Sequence, residues 1–102
     1  MKIHNVTNQN FQDEVLGSSQ PVLLDFWAPW CGPCNLMNPV LEEVAERRPE
    51  IKVCKVNVDT EQELTSRYRV HRIPTILIMY QGQEEDRIIG AIEKDELLAL
   101  VE

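Results

Sequence analysis

No apolar stretch in the chain approaches the roughly 18 residues a membrane-spanning helix needs, so a membrane partner is not expected. The first eleven residues, Met1 to Phe11, are mostly polar and hold no apolar signal segment, so a reducing cytoplasm is the compartment expected. Basic charge is also scarce: ten Lys and Arg face 17 Asp and Glu, a formal charge of -7. A nucleic-acid binder needs a basic face to displace counterions from phosphates, so that class is excluded. The acidic excess favours solubility and repels acidic substrates at long range. Three cysteines are an odd count and too few for a stapled secreted scaffold, which leaves redox or metal chemistry for any two that lie close together. Repeats, low-complexity tracts and Gly/Ser linkers are missing as well, and the longest like-charge run, Glu84, Glu85 and Asp86, reads as a solvated strand face or turn.

What remains is a chain of 102 residues with 43 % hydrophobic and 26 % charged residues, the balance of an ordinary globular protein. A chain this long buries roughly 60 to 70 % of its unfolded surface in one core, so one domain over residues 1–102 is expected. Lys2 to Val6 is a first strand, and Phe11, Val15 and Leu16 follow at helical spacing before Gly17 and Ser18. Val22 to Trp27, nearly continuous in apolar residues, reads as a central strand covered on both faces. From Cys34 onward Leu36, Met37, Val40, Leu41, Val44 and Ala45 form one helical stripe that ends at Arg47, Arg48 and Pro49. Pro39 lies inside it and is expected to kink it. Ile51 to Val58 is a β-branched strand that completes a parallel βαβ unit. Glu61 to Tyr68 is a weaker helix, Thr75 to Tyr80 and Glu84 to Ile89 flank a Gln81-Gly82 hairpin turn, and Asp95 to Val101 is a closing helix. The order β α β α β α β β α gives an α/β fold: a central mixed β-sheet with helices on both faces.

At the junction of the apolar strand and the long helix stands Trp30-Cys31-Gly32-Pro33-Cys34. Two thiols at this spacing can meet across one helical turn and open or close with little movement of the scaffold, whereas a structural bridge usually links distant segments. Cys-x-x-Cys beside a βαβ pattern is a known redox signature. Over Asp25-Phe26-Trp27-Ala28-Pro29-Trp30-Cys31-Gly32-Pro33-Cys34 the chain closely resembles the thioredoxin family. The resemblance extends along essentially the whole length, through Lys55, Asp59, Ile73-Pro74-Thr75, Gly82 and Gly90. It implies the thioredoxin fold and dithiol–disulfide exchange with disulfide-containing protein substrates, the protein being re-reduced by a thioredoxin reductase or an equivalent electron donor. A monomer without cofactor or metal is expected.

The roles of the cysteines follow from their places. Cys31, at or just before the first helical turn, faces free backbone N–H groups and the positive end of the helix dipole, which stabilise a thiolate, so it is the expected nucleophile. Cys34, one turn in, is the expected resolving thiol. Gly32-Pro33 offers no ionisable side chain to favour the thiolate further, which suits a reductant. Asp25, the only charged residue of its strand, bears a carboxyl whose pKa burial should raise. The resemblance places it beneath the cysteines, as base for Cys34 through a water, with Lys55 as its electrostatic partner. It also implies a cis Ile73-Pro74 bond lying against the pair, which turns the Ile73 backbone toward an extended substrate peptide. Trp30, Gly32, Pro33, Ile73, Pro74 and Gly90 then form the substrate surface.

Trp27 reads as a core aromatic and Cys54 as a small core hydrophobe. Three positions depart from the family's habit. Asn35 stands where Lys or Arg usually follows the second cysteine, Arg69 where Gly often ends a helix, and Arg72 where a small residue often precedes the Ile-Pro-Thr segment. These exchanges bear on partner choice. Two rival readings stay open at this point: a zinc site from Cys31, Cys34, Cys54 and His71, and a non-catalytic docking subunit on the same fold.

Overall fold

The computed structural model describes residues 2–101. One five-stranded sheet runs in the order β1-β3-β2-β4-β5, with β1 Ile3–Asn5, β2 Val22–Trp27, β3 Lys52–Asn57, β4 Thr75–Tyr80 and β5 Gln83–Ile89. β3 pairs in parallel with β1 and with β2. β4 runs antiparallel to β2 and to β5. The helices are α1 Gly32–Arg47, α2 Gln62–Arg67 and α3 Lys94–Leu100. This is the mixed sheet with parallel strands and an antiparallel hairpin that the family resemblance implies.

β2 lies at the centre because its side chains are apolar on both faces, and the alternation of a strand sends them to two separate cores. Val22, Leu24 and Phe26 enter the core that holds Val6, Phe11, Val15, Cys54 and Leu64. Leu23 enters the opposite core with Met37, Leu41 and Val44 of α1 and Leu97 of α3. Each fully buried aliphatic side chain contributes about 1.5–3 kcal/mol. By the same alternation Asp25, between Leu24 and Phe26, is directed to the α1 face.

The expected elements stand within a residue or two of the observed ones, with three differences. The segment Gln12–Leu16 is a π-helical turn, not an ordinary helix. Its wide closure is made by the Gly17 N–H, which donates to the Gln12 carbonyl at 2.8 Å. A Cβ at position 17 would meet the carbonyl oxygens of Gln12 and Asp13 at 3.3 Å, so glycine permits this approach. Secondly, α1 begins at Gly32, ahead of Cys34, and Pro39 lies inside it as expected. Its buried stripe is Cys34, Met37, Leu41, Val44 and Ala45. Leu36, counted in that stripe from spacing alone, is instead 72 % exposed, because it neighbours Met37 around the helix and only one of the two can face the sheet. Thirdly, β5 includes Gln83, and its register against β4 slips at Ile78/Met79.

The hairpin turn is Gln81-Gly82, both with positive φ, the conformation favoured in two-residue hairpin loops. Glu84, Glu85 and Asp86 lie exposed on this edge strand. The end of α2 carries a less usual residue. The Arg69 N–H donates to Ser66 and the Val70 N–H to Thr65, each at 3.0 Å, the double closure that normally has glycine at its left-handed position. Here Arg69 occupies it with a φ of 53°. Arg69→Gly is therefore expected to stabilise the protein by about 1 kcal/mol, the relief of left-handed strain being partly offset by the greater freedom of glycine in the unfolded chain. A urea denaturation midpoint that moves up with unchanged slope is the expected result.

Candidate active site

The loop after β2 is short and held at both ends. Trp27 accepts a bond from the Val58 N–H at 2.9 Å, and Ala28 accepts one from the Cys31 N–H at 3.1 Å. Cys31 is thereby delivered as the N-cap of α1 in extended conformation, and its sulfur accepts the Cys34 N–H at 3.2 Å. The sequence favours this entry, since Pro33 lies in the first turn, where a missing N–H costs nothing. Cys31 and Cys34 are joined by a disulfide, with Cα atoms 5.2 Å apart. Cys31 is 5 % exposed and Cys34 not at all. Gly32 and Pro33 between them are exposed.

Two further segments close on the pair. The Ile73–Pro74 bond is cis, the isomer the family resemblance implies. The Ile73 carbonyl oxygen lies 3.8 Å from the Cys31 sulfur, and the Ile73 side chain packs against the cluster formed by Ala28, Cys31 and Cys34. Thr75 Oγ1 donates to the Arg72 carbonyl at 2.5 Å, and the Gly90 N–H donates to the Pro74 carbonyl at 2.8 Å. These bonds tie Arg72, Ile73, Pro74 and Gly90 into one ledge. On the opposite side Trp30 is 70 % exposed, with its ring N–H bonded to Asp59 Oδ2 at 3.0 Å. Asn35 donates to the Pro29 carbonyl at 3.3 Å, so it braces the loop before Cys31, while Arg72 is exposed on the ledge.

In β2, the strand that leads into the cysteine loop, Asp25 is 0 % exposed, and neither carboxyl oxygen is hydrogen-bonded to a protein atom. Burial pushes its carboxyl up to about 7, against the opposing pull of Lys55. Lys55 is Asp25's register partner on β3. Its ammonium is nonetheless engaged elsewhere: it donates to Asn38 Oδ1 at 2.6 Å and sits 4.1 Å from the centre of the Trp27 ring. Burial lowers the Lys55 pKa, opposed by the charges of Asp25 and Glu42. Asn38 belongs to no motif, and Trp27 has the local pattern of a plain core aromatic. The available signal was spacing, because Asn38 follows Cys34 by four residues and so shares its side of α1.

The residues of the rival metal reading are dispersed. Cys54 is buried among Val6, Phe11 and Leu24, whereas Cys31 and Cys34 pack with Ala28. His71 is exposed. Among the described residues no group of three or more His, Cys, Asp or Glu side chains is placed to hold a metal ion.

The family model described as Thioredoxin matches residues 2–102. Among curated relatives, "Thioredoxin 1" of Nostoc sp. is 46 % identical over 98 residues, covering 95 % of this chain and 92 % of its own. "Thioredoxin 1" of Synechococcus elongatus is 47 % identical over 93 residues, 90 % of this chain and 87 % of its own. "Thioredoxin" of Pseudomonas aeruginosa is 43 % identical over 101 residues, 98 % and 94 % of the two chains.

Two expectations follow from the site's geometry. In the reduced native protein iodoacetamide should modify Cys31 first, since it is the more exposed and an N–H points at its sulfur. Cys54 should react last, because burial pushes its thiol up to about 12; peptide mapping gives the order, and modification of Cys34 first would reverse the roles. The second concerns Asp25, which titrates from an ordinary 3.8 and is raised to about 7 in the fold. Between those values the folded protein keeps a proton that the unfolded chain has lost, so this group makes stability fall as pH rises through the interval. The stability of Asp25→Asn relative to the parent should accordingly grow by roughly 2–4 kcal/mol from about pH 4 to about pH 8. Urea unfolding of both proteins across that range checks it, and a pH-independent difference would contradict the burial of a titrating carboxyl.

Proposed function

Because this chain belongs to the thioredoxin family and is a thiol–disulfide oxidoreductase whose redox centre is the Cys31–Cys34 pair, we propose that Cys31 is its nucleophile, Cys34 its resolving thiol and Asp25 the base for Cys34. The family implies protein-disulfide substrates and a reductase partner. In the proposed cycle the Cys31 thiolate attacks one sulfur of a substrate disulfide and the other sulfur leaves as a thiolate. Cys34 then gives its proton to Asp25, through a water, and attacks Cys31. The Cys31–substrate bond breaks, the second substrate thiol departs, and the Cys31–Cys34 disulfide remains. Two electrons have passed to the substrate, and a thioredoxin reductase or equivalent donor returns them.

The observation that carries this reading is the Cys34 N–H directed at the Cys31 sulfur at the head of a 16-residue helix. That donor and the helix dipole favour a thiolate at Cys31 over one at the buried Cys34. Asp25 suits a base because a carboxyl near neutrality can both take and release a proton at working pH. Lys55 contributes its positive charge. An extended substrate strand would lie along Ile73, between Trp30, Gly32 and Pro33 on one side and Pro74 and Gly90 on the other, and pair with backbone more than with side chains. Gly32-Pro33 adds no charge to hold the reduced form, which favours the reducing direction. Residues 1–102 would act as one domain and as a monomer. A reducing cytoplasm suits the chemistry, and no helix among the described residues is long and apolar enough to cross a membrane. Arg72 in place of a small residue, and Asn35 in place of a cation, would tune the choice of partner surfaces through weak exposed charge pairs.

The test is an NADPH-driven assay of protein-disulfide reduction with candidate reductases. The wild type should turn over, Cys31→Ser should abolish turnover, and Cys34→Ser should accumulate a mixed disulfide through Cys31. Wild-type turnover by Cys34→Ser would overturn the assignment of the resolving thiol, and turnover by Cys31→Ser would overturn that of the nucleophile.

A further inference from the structure

Lys55 and Asp25 are opposite in register on neighbouring parallel strands, an arrangement in which a buried carboxylate and an ammonium would be expected to form a pair. They do not: the ammonium is drawn to α1, where Asn38 Oδ1 accepts its hydrogen bond at 2.6 Å. There it also lies over the Trp27 ring at 4.1 Å, and both Asp25 oxygens are left without a protein donor. We propose that Asn38 is a positioning residue for the proton transfer, holding the Lys55 ammonium against α1 and Trp27, off the Asp25 carboxyl, and so governing how readily Asp25 gives up its proton. The proposal rests on the reading of Asp25 as the base for Cys34.

The physical argument compares two acceptors for one cation. An ammonium partly out of water needs a hydrogen-bond acceptor, and with Asn38 in place that need is met without the carboxylate. Without it, the carboxylates that act on the ammonium are Asp25 and Glu42; Asp25 lies opposite it in register, and close approach of the cation favours the ionised carboxylate. Few other charged groups enter this balance. The charge that acts on Asp25 is that of Lys55 from β3, and its partner on β4 is the apolar Ile76. Lys55 feels Asp25 and, from α1 one turn beyond Asn38, Glu42. Asn38 is uncharged, so its influence is exerted by placement.

Two substitutions separate placement from simple packing. Asn38→Leu keeps a similar volume and removes the acceptor. Asn38→Asp keeps shape and acceptor, holds Lys55 more firmly and adds a like charge on Asp25's side of the helix. The readout is the titration of the Asp25 carboxyl carbon by NMR in the oxidised protein, where the joined cysteines carry no titrating thiol. Asn38→Leu should lower the Asp25 midpoint by about one pH unit, and Asn38→Asp should raise it by about half a unit. In the reduced enzyme the rise of disulfide reduction with pH should move in the same two directions. Midpoints that stay with the wild type, or that move the same way in both variants, would overturn the proposal. If the leucine variant does not fold, Asn38→Ala, which removes the same acceptor without adding charge, takes its place and must lower the midpoint, whereas a rise in Asn38→Asp alone follows from its added charge and decides nothing. Failure of the base assignment is separately visible: Asp25→Asn would keep the wild-type pH–rate profile, while the opposite shifts of the Asp25 midpoint would still report on Asn38.

Discussion

The site depends on one strand being buried from both sides. β2 can satisfy its backbone only by pairing with β3 on one edge and β4 on the other, and its side chains only by having helices on both faces. That confinement fixes three deliveries at once. The end of β2 leads straight into the cysteine loop, β3 supplies Lys55 beside Asp25, and the segment entering β4 supplies Ile73 and Pro74. No single local sequence could place these groups together; the shared neighbour does. Cys31 and the Ile73 carbonyl, 42 residues apart along the chain, come within 3.8 Å because both adjoin β2.

The same burial makes Asp25 costly. A carboxyl placed between Leu24 and Phe26, without a protein donor, is tolerated chiefly in its protonated form, and desolvation of the ion is the cause. A fold selected for stability alone would have an apolar residue there. A lone carboxyl in the most buried strand is a local inconsistency of the kind that accords with the proposed role of Asp25 as base. The strain at Arg69 belongs to a different category. Its left-handed backbone is imposed by the closure of α2, where Leu64 and Val70 must both reach the core.

Much of this was legible in the sequence, for identifiable reasons. The long apolar run of β2, the β-branched β3 and the Gln81-Gly82 turn are strong local signals, and their order alone limits the topology to a mixed sheet. Cys31 and Cys34 announce themselves by spacing, and Asp25 by being the lone charge in an apolar strand. The cis bond and the ledge of Ile73, Pro74 and Gly90 were reached only through family resemblance, because neither the isomer nor contact across the sheet is written in local pattern. Leu36 shows the limit of periodicity: in a stripe of adjacent apolar pairs, spacing does not say which member faces inward. The π turn at Gln12–Leu16 was invisible for a similar reason, since its pattern suits either helix and the closure through Gly17 decides between them. Asn38 was missed because its importance lies in where it holds another side chain.

Cys54 has a stoichiometric consequence. It lies on the face of the sheet away from the cysteine loop, fully buried, with its thiol pushed up to about 12 by desolvation, so its thiolate is disfavoured at neutral pH. A third reactive sulfur would open side routes in which the mixed disulfide migrates within the protein and strands a half-finished exchange. With that sulfur silent, the molecule has two resting states that differ by one pair of electrons. Odd-numbered redox accounting is thereby closed off by packing alone.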